Sequence, residues 1–183
     1  MLGEFSFAWA ESEPVAIRSP RLQNLLAFLL LHRTAPQSRQ RIASLLWPDS
    51  TDSQARTNLR YLLHQFRHEV PGGENWIEAD TSHIWWHPAF PFALDLAQFE
   101  ELIALANQPQ KGQDTVTYLE QAVRLYRGDL LPALYEDWVS EHREHLRTAL
   151  RAAIERLIRA LANSGRYREG ATYAEARHPR LPA

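Results

Sequence analysis

The chain has no cysteine, which excludes a disulfide framework, thiolate metal sites and a thiol nucleophile, and fits a reducing compartment. It has no long apolar run. The longest, "LLAFLLL" at residues 25 to 31, is far too short to cross a bilayer. The N-terminus "MLGEFSFAWAESEP" is acidic and alternating, without the basic start or apolar stretch of a signal peptide. There is no G-x-x-x-x-G-K-[ST] phosphate loop and no G-x-S-x-G nucleophile element, so nucleotide hydrolysis and serine-type acyl transfer are not expected. These absences lead to the expectation of a cytoplasmic protein that is not an enzyme, carries no cofactor and has no membrane partner.

What is present is unevenly spread. The net charge is only −2 over 183 residues, yet residues 18–70 hold eight arginines against Asp49, Asp52 and Glu69, a net of +5. Residues 1–17 carry −3 and residues 71–98 carry −4, while the remainder balances. A basic block inside a neutral chain is the footprint of polyanion binding. A merely solvated helix face is the competing reading.

The pattern of apolar residues divides the chain. "EFSFAW" and "EPVAI", joined by "AESE", predict a small antiparallel hairpin. From Arg21 the spacing of Leu22, Leu25, Leu26, Leu29 and Leu30 becomes helical, and Pro36 breaks it. Ser38 is a suitable N-cap for a second helix with Ile42, Leu45 and Leu46 inside. "WPDST" stops that helix, and a third runs from Ser53 to Val70, closed by "PGG". "NWIEADTSHIWWH" then reads as two β-prone runs flanking a turn, with neighbours Trp85 and Trp86 on opposite faces. Residues 1–90 are therefore expected to be a winged helix-turn-helix domain.

After "PAFPFALD" the sequence is helical throughout, and residues 91–183 are expected to form an all-α domain of paired helices. "NQPQKGQDT" reads as a loop, and a long helix is predicted from Trp138 to Ser164, followed by "REGATYAEARH". Taking Gly165 as an inter-helix glycine puts Ile154, Leu157, Ile158 and Leu161 at packing positions of a tetratricopeptide-like repeat. Pro182 becomes its closing proline, and Gly170 stands where alanine is usual. The fold class is thus mainly α: a winged helix followed by a helical, tetratricopeptide-like domain.

On a helical wheel, Ala55, Leu59, Leu62, Leu63, Phe66 and Val70 share one face of the third helix. Ser53, Thr57, Tyr61, His64 and His68 lie opposite, flanked by Arg60 and Arg67. An α-helix fits the major groove, where arginine bonds guanine and smaller polar side chains reach bases or phosphates. His64 and His68 also have the spacing of a zinc pair. No cysteine exists and no acidic residue stands at a ligand spacing on that face, so no metal site is expected. "EHREH" at residues 141–145 has the wrong order and spacing for H-E-x-x-H.

The stretch from "RLQNLLAFLLL" through "LLWPD" to "ARTNLRYLLHQFR" resembles the DNA-binding domain of bacterial regulators of the antibiotic-regulatory-protein type. Their winged helix is similar to the output domain of response regulators. "LDLAQFEELI", "LYRGDLLPALYEDWVSEHREHLR" and "SGRYREGATYAEA" resemble the bacterial transcriptional activator domain that follows it in that family. The resemblance covers nearly the whole chain, in order, and its most specific piece is "LYRGDLLP…YEDWV". It implies that the third helix is the recognition helix, with DNA-binding roles for Arg56, Thr57, Asn58, Arg60, Tyr61, His64, Arg67 and His68. Arg56 and Asn58 lie at the flanks of the face, which suits phosphate contact. Ser38 and Arg39 become candidate phosphate clamps at a helix N-terminus, and Thr81, Ser82 and His83 the wing tip. The hairpin departs from the family in having no arginine or lysine and in carrying Glu78 and Asp80, so affinity is expected to rest on the helix. The implied partners are double-stranded DNA, RNA polymerase, and a second protomer on directly repeated sites. A helical protein-interaction scaffold without DNA binding is the alternative. The helical pattern stops where another pair would follow, so a piece of a longer regulator is expected.

Overall fold

Ser19 opens the first helix in the computed structural model, which describes residues 1–3, 17–70, 72–87, 94–108 and 112–175. Its Oγ accepts from the Leu22 N–H at 3.3 Å, and Pro20 at the first helical position presents no N–H that would go unsatisfied. The chain divides into two compact units: Ser6–Phe92, and Met1–Phe5 together with Ala93–Ala183.

The first unit is a winged helix-turn-helix. Its order is α1 (Pro20–Leu31), β1 (Gln37–Ser38), α2 (Arg39–Leu46), α3 (Asp52–Glu69), a 3-10 turn (Gly73–Asn75), β2 (Ile77–Ala79) and β3 (His83–Trp86). Ser38 caps α2 as expected, accepting from the Arg41 N–H at 3.4 Å. Thr51 caps α3 in the same way, accepting from Gln54 N–H at 3.3 Å. The strands form one antiparallel sheet in the order β1-β3-β2, with Gln37 opposite Ile84 and Glu78 opposite Trp85. β1 was not expected: two residues after a proline carry no readable alternation. Both expected strands of the N-terminal hairpin fall essentially in residues 4–16, outside the described residues.

α1 is buried around most of its circumference, from Leu25 through Leu30. The apolar face of α3 is buried as the wheel required, with Phe66 fully inside. The Trp76 ring, also fully buried, meets Phe66 edge-on at 5.5 Å and Trp86 at 6.1 Å. This aromatic contact fastens the C-terminal half of α3 to the hairpin and so fixes the orientation of its opposite face. Trp86 is buried while Trp85 is half-exposed, the alternation a strand requires. Gly72 at φ 71° turns the chain after α3, a left-handed position suited to glycine.

The second unit consists of α4 (Asp95–Asn107), α5 (Gly112–Leu125), α6 (Asp137–Asn163) and α7 (Tyr167–Glu175). Each packs on the next, around Ala106, Val116, Leu119, Ala153, Leu157 and Leu161. α5 begins inside "NQPQKGQDT", taking Gly112 to Thr115 from the expected loop. Asp114 in its first turn offsets the glycine by favouring the positive helix end. Gly165 at φ 75° ends α6 in a Schellman motif, with Arg166 N–H on Leu161 O at 2.9 Å and Gly165 N–H on Ala162 O at 3.1 Å. Pro182 lies outside the described residues.

The "LYRGDLLP" segment owes its shape to arginines of α6. Arg143 donates from Nε to Leu130 O at 2.7 Å and from Nη2 to the Leu131 and Leu134 carbonyls. Arg147 binds both carboxylate oxygens of Asp129. These hydrogen bonds, before any other influence, hold Asp129 below the usual carboxylate range. Burial, and then the Asp129 charge, push the Tyr126 phenol up to about 12. The start of the chain joins this segment: Leu2 and Leu130 form an antiparallel bridge, with Gly3 N–H on Asp129 O and Leu131 N–H on Met1 O, both at 3.0 Å. Leu2 N–H also donates to Asp95 Oδ2 at 2.7 Å.

Candidate nucleic-acid interface

With its apolar stripe buried, α3 turns Arg56, Thr57, Arg60, Tyr61, His64, Arg67 and His68 outward, all exposed, and Asn58 half-buried at the edge. Tyr61 is 72 % exposed.

The members of the face are not equally available. Thr57 donates from Oγ1 to Ser53 O at 3.0 Å, Asn58 accepts from Gln54 Nε2 at 2.8 Å, and Arg56 donates to Asp52 O at 3.2 Å. These are i to i+4 links along the helix itself, and the wheel gave no sign of them. Arg60 and Arg67 form no ion pair among the described residues, whereas Arg147, Arg151 and Arg166 of the helical unit all do. The surplus charge of the basic block is therefore presented rather than neutralised.

Arg39, first residue of α2, stands beside that pair. Burial first, then the charges of Arg67 and Arg60, hold its guanidinium below the usual range, opposed by Asp80. Its Nε donates to Asp80 O at 2.8 Å and its backbone N–H to Ser82 O at 2.9 Å. Arg39 thus pins the wing turn to the N-terminus of α2. Ser38 Oγ is occupied as the helix cap, which leaves less of it for an anion.

At the wing tip Thr81, Ser82 and His83 are exposed. Asp80 Oδ1 accepts the N–H groups of Ser82 and His83, each at 2.6 Å, and those hydrogen bonds hold its carboxyl below the ordinary range. The acid that sequence reading treated as a repulsive charge is also the residue that builds the turn, by an Asx-type bond. Glu78 pairs with His87 at 3.0 Å. The structure brings the α3 residues, Arg39 and the wing turn into one region of the winged unit, but the cationic side chains all come from the helices.

Residues 94–183 match the bacterial transcriptional activator domain, and the chain carries a winged helix-turn-helix ahead of it. It is similar in structure to Mycobacterium tuberculosis EmbR, solved in complex with a low affinity phosphopeptide, at 19 % sequence identity and a TM-score of 0.78. That similarity covers 99 % of this chain and 49 % of the EmbR chain, so this chain spans about half of that length. No curated protein matches at a significant level. Among the described residues no helix is long and apolar enough to cross a membrane.

Proposed function

We propose that this chain, whose second unit matches the bacterial transcriptional activator domain, is a transcription regulator that binds double-stranded DNA sequence-specifically, with α3 in the major groove. The observation that carries the reading is the outward face of α3, where Arg60 and Arg67, beside Arg39, form no ion pair among the described residues. Those charges complement a polyanion, and their rigid mounting on a buried stripe suits base reading. Arg60, Tyr61, His64 and Arg67 are the candidates for base contact, with His68 beside them. Arg56, Thr57 and Asn58, already engaged along the helix, fit phosphate contact or positioning. Ser38 and Arg39 support the docking of α2 and the wing turn, and Thr81, Ser82 and His83 graze the backbone. The helical unit positions a second protomer on directly repeated sites or meets RNA polymerase, in the cytoplasm and without catalysis.

Salt dependence of duplex binding tests the reading. Log affinity falls with log salt at a slope of about −0.9 per phosphate neutralised. Arg60→Ala is expected to weaken binding to a selected site by about 1–3 kcal/mol and to relax base preference. A protein that retains no duplex at low salt is instead a helical interaction scaffold. Unchanged affinity in Arg60→Ala removes that residue from base reading.

A further inference from the structure

The winged unit holds His32, His64, His68, His83 and His87. Three of them have protein partners: His32 Nδ1 lies 2.9 Å from Phe28 O, His83 lies 3.9 Å from the Asp80 carboxylate, and His87 lies 3.0 Å from that of Glu78. His64 and His68 differ. Their rings sit one helical turn apart with centroids 4.2 Å from each other, tilted by 48°, and both side chains are exposed. Among the described residues neither has a carboxylate within ion-pairing distance.

Among the described residues, few ionisable groups share their surroundings. α3 itself provides Arg60, Tyr61 and Arg67. α2 provides Arg39, which couples electrostatically to Arg60 and Arg67. Its other arginine, Arg41, lies over the Phe28 ring at 5.7 Å. The 3-10 turn packed on α3 brings Glu74, and the hairpin brings Asp80, whose carboxylate is taken by Ser82 and His83. α1 brings Arg21 and no acid. A divalent metal at the imidazole pair would face these guanidiniums with no third donor among the described residues. A proton needs neither.

We propose that His64 and His68 make polyanion binding by this face proton-linked, so that the protein grips DNA more tightly as the solution becomes more acidic. The inference rests on the DNA-binding reading above. Imidazole is the side chain that gains and loses its charge between about pH 5 and 8. A neutral ring offers one donor and one acceptor; a charged ring offers two donors and a full positive charge. Phosphate oxygens brought against this face favour the charged form of each ring. Protons are therefore taken up with the DNA. For each proton taken up on binding, affinity falls about ten-fold per unit rise in pH over the range in which the free ring is neutral and the bound ring charged.

The test uses the full chain and a random-sequence duplex at constant ionic strength. Affinity is expected to fall by about ten-fold or more between about pH 6 and pH 8. Calorimetric titration in two buffers of different ionisation enthalpy should show net proton uptake near neutrality. The double variant His64→Gln, His68→Gln should keep the helical circular-dichroism signal and bind with an affinity that no longer changes with pH, whatever its level, and without net proton uptake. A parent with flat affinity and no proton uptake overturns the proposal, as does a double variant that keeps the parent's full pH dependence. Absence of any duplex retention at low salt and acid pH sinks the DNA reading and this inference with it. Retention without pH dependence sinks only the proton linkage.

Discussion

Replacing Arg143 by methionine should detach the "GDLLP" segment from α6. The methionine keeps the apolar stem and removes every donor. Arg143 reaches three carbonyls, those of Leu130, Leu131 and Leu134, on leucines that are 0 %, 1 % and 7 % exposed. Leu131 is also held at φ 49°, a left-handed conformation that costs a non-glycine residue about 1 kcal/mol or more. Hydrogen bonds to a charged group contribute about 1.5–3 kcal/mol each, so three independent ones would reach about 4.5–9 kcal/mol. That is an upper bound, because one side chain makes all three and the half-buried site readmits water once the guanidinium is gone. A loss of about 2–4 kcal/mol is expected. Urea titration followed by far-ultraviolet circular dichroism measures it, and amide exchange at residues 128–136 localises it. Arg143→Lys, with one reachable carbonyl at a time, should fall between. An unchanged midpoint with unchanged protection at Leu131 and Leu134 would refute the account of this motif.

Acid stability should depend on Asp129. Its folded-state pKa is depressed, chiefly by the Arg147 hydrogen bonds. The stabilisation is therefore fully present above the unfolded value, near pH 3.9, and is lost as pH falls through the lower folded value. Asp129→Asn should be less stable than the parent at neutral pH and converge on it below about pH 4; urea midpoints that stay parallel throughout would contradict this. Two glycine substitutions should act in opposite directions. A Cβ on Gly73 would lie 2.8 Å from Phe66 O, so Gly73→Ala should cost about 2 kcal/mol. A Cβ on Gly170 would meet nothing nearer than 3.8 Å, so Gly170→Ala should stabilise by about 0.5–1 kcal/mol. Melting temperatures moving the same way in both variants would rule out this steric account.

The elements legible in the sequence were those written in local periodicity and caps. Ser38 before an apolar stripe marks α2, and the spacing of Leu59, Leu62, Phe66 and their neighbours fixed which side of α3 is buried. The exposed candidates followed from that. β1 was not legible, since its two residues gain meaning only when β3 pairs with them. Nor were the Arg39 link to the wing turn, the Arg143 cradle, or the Leu2–Leu130 bridge. Each joins residues far apart in the chain, and no local pattern encodes the partner. The links of Thr57, Asn58 and Arg56 along α3 are local, but they concern side-chain choices that a wheel does not contain.

The bridge between Leu2 and Leu130 sets a schedule during synthesis. Leu2 is made before any residue of the winged unit, yet the backbone it pairs with is made only after all of them. That unit can finish folding while Leu2 and its neighbours still wait for their partner. The helical unit closes last, when Asp95, Asp129 and Leu130 have all arrived to receive them.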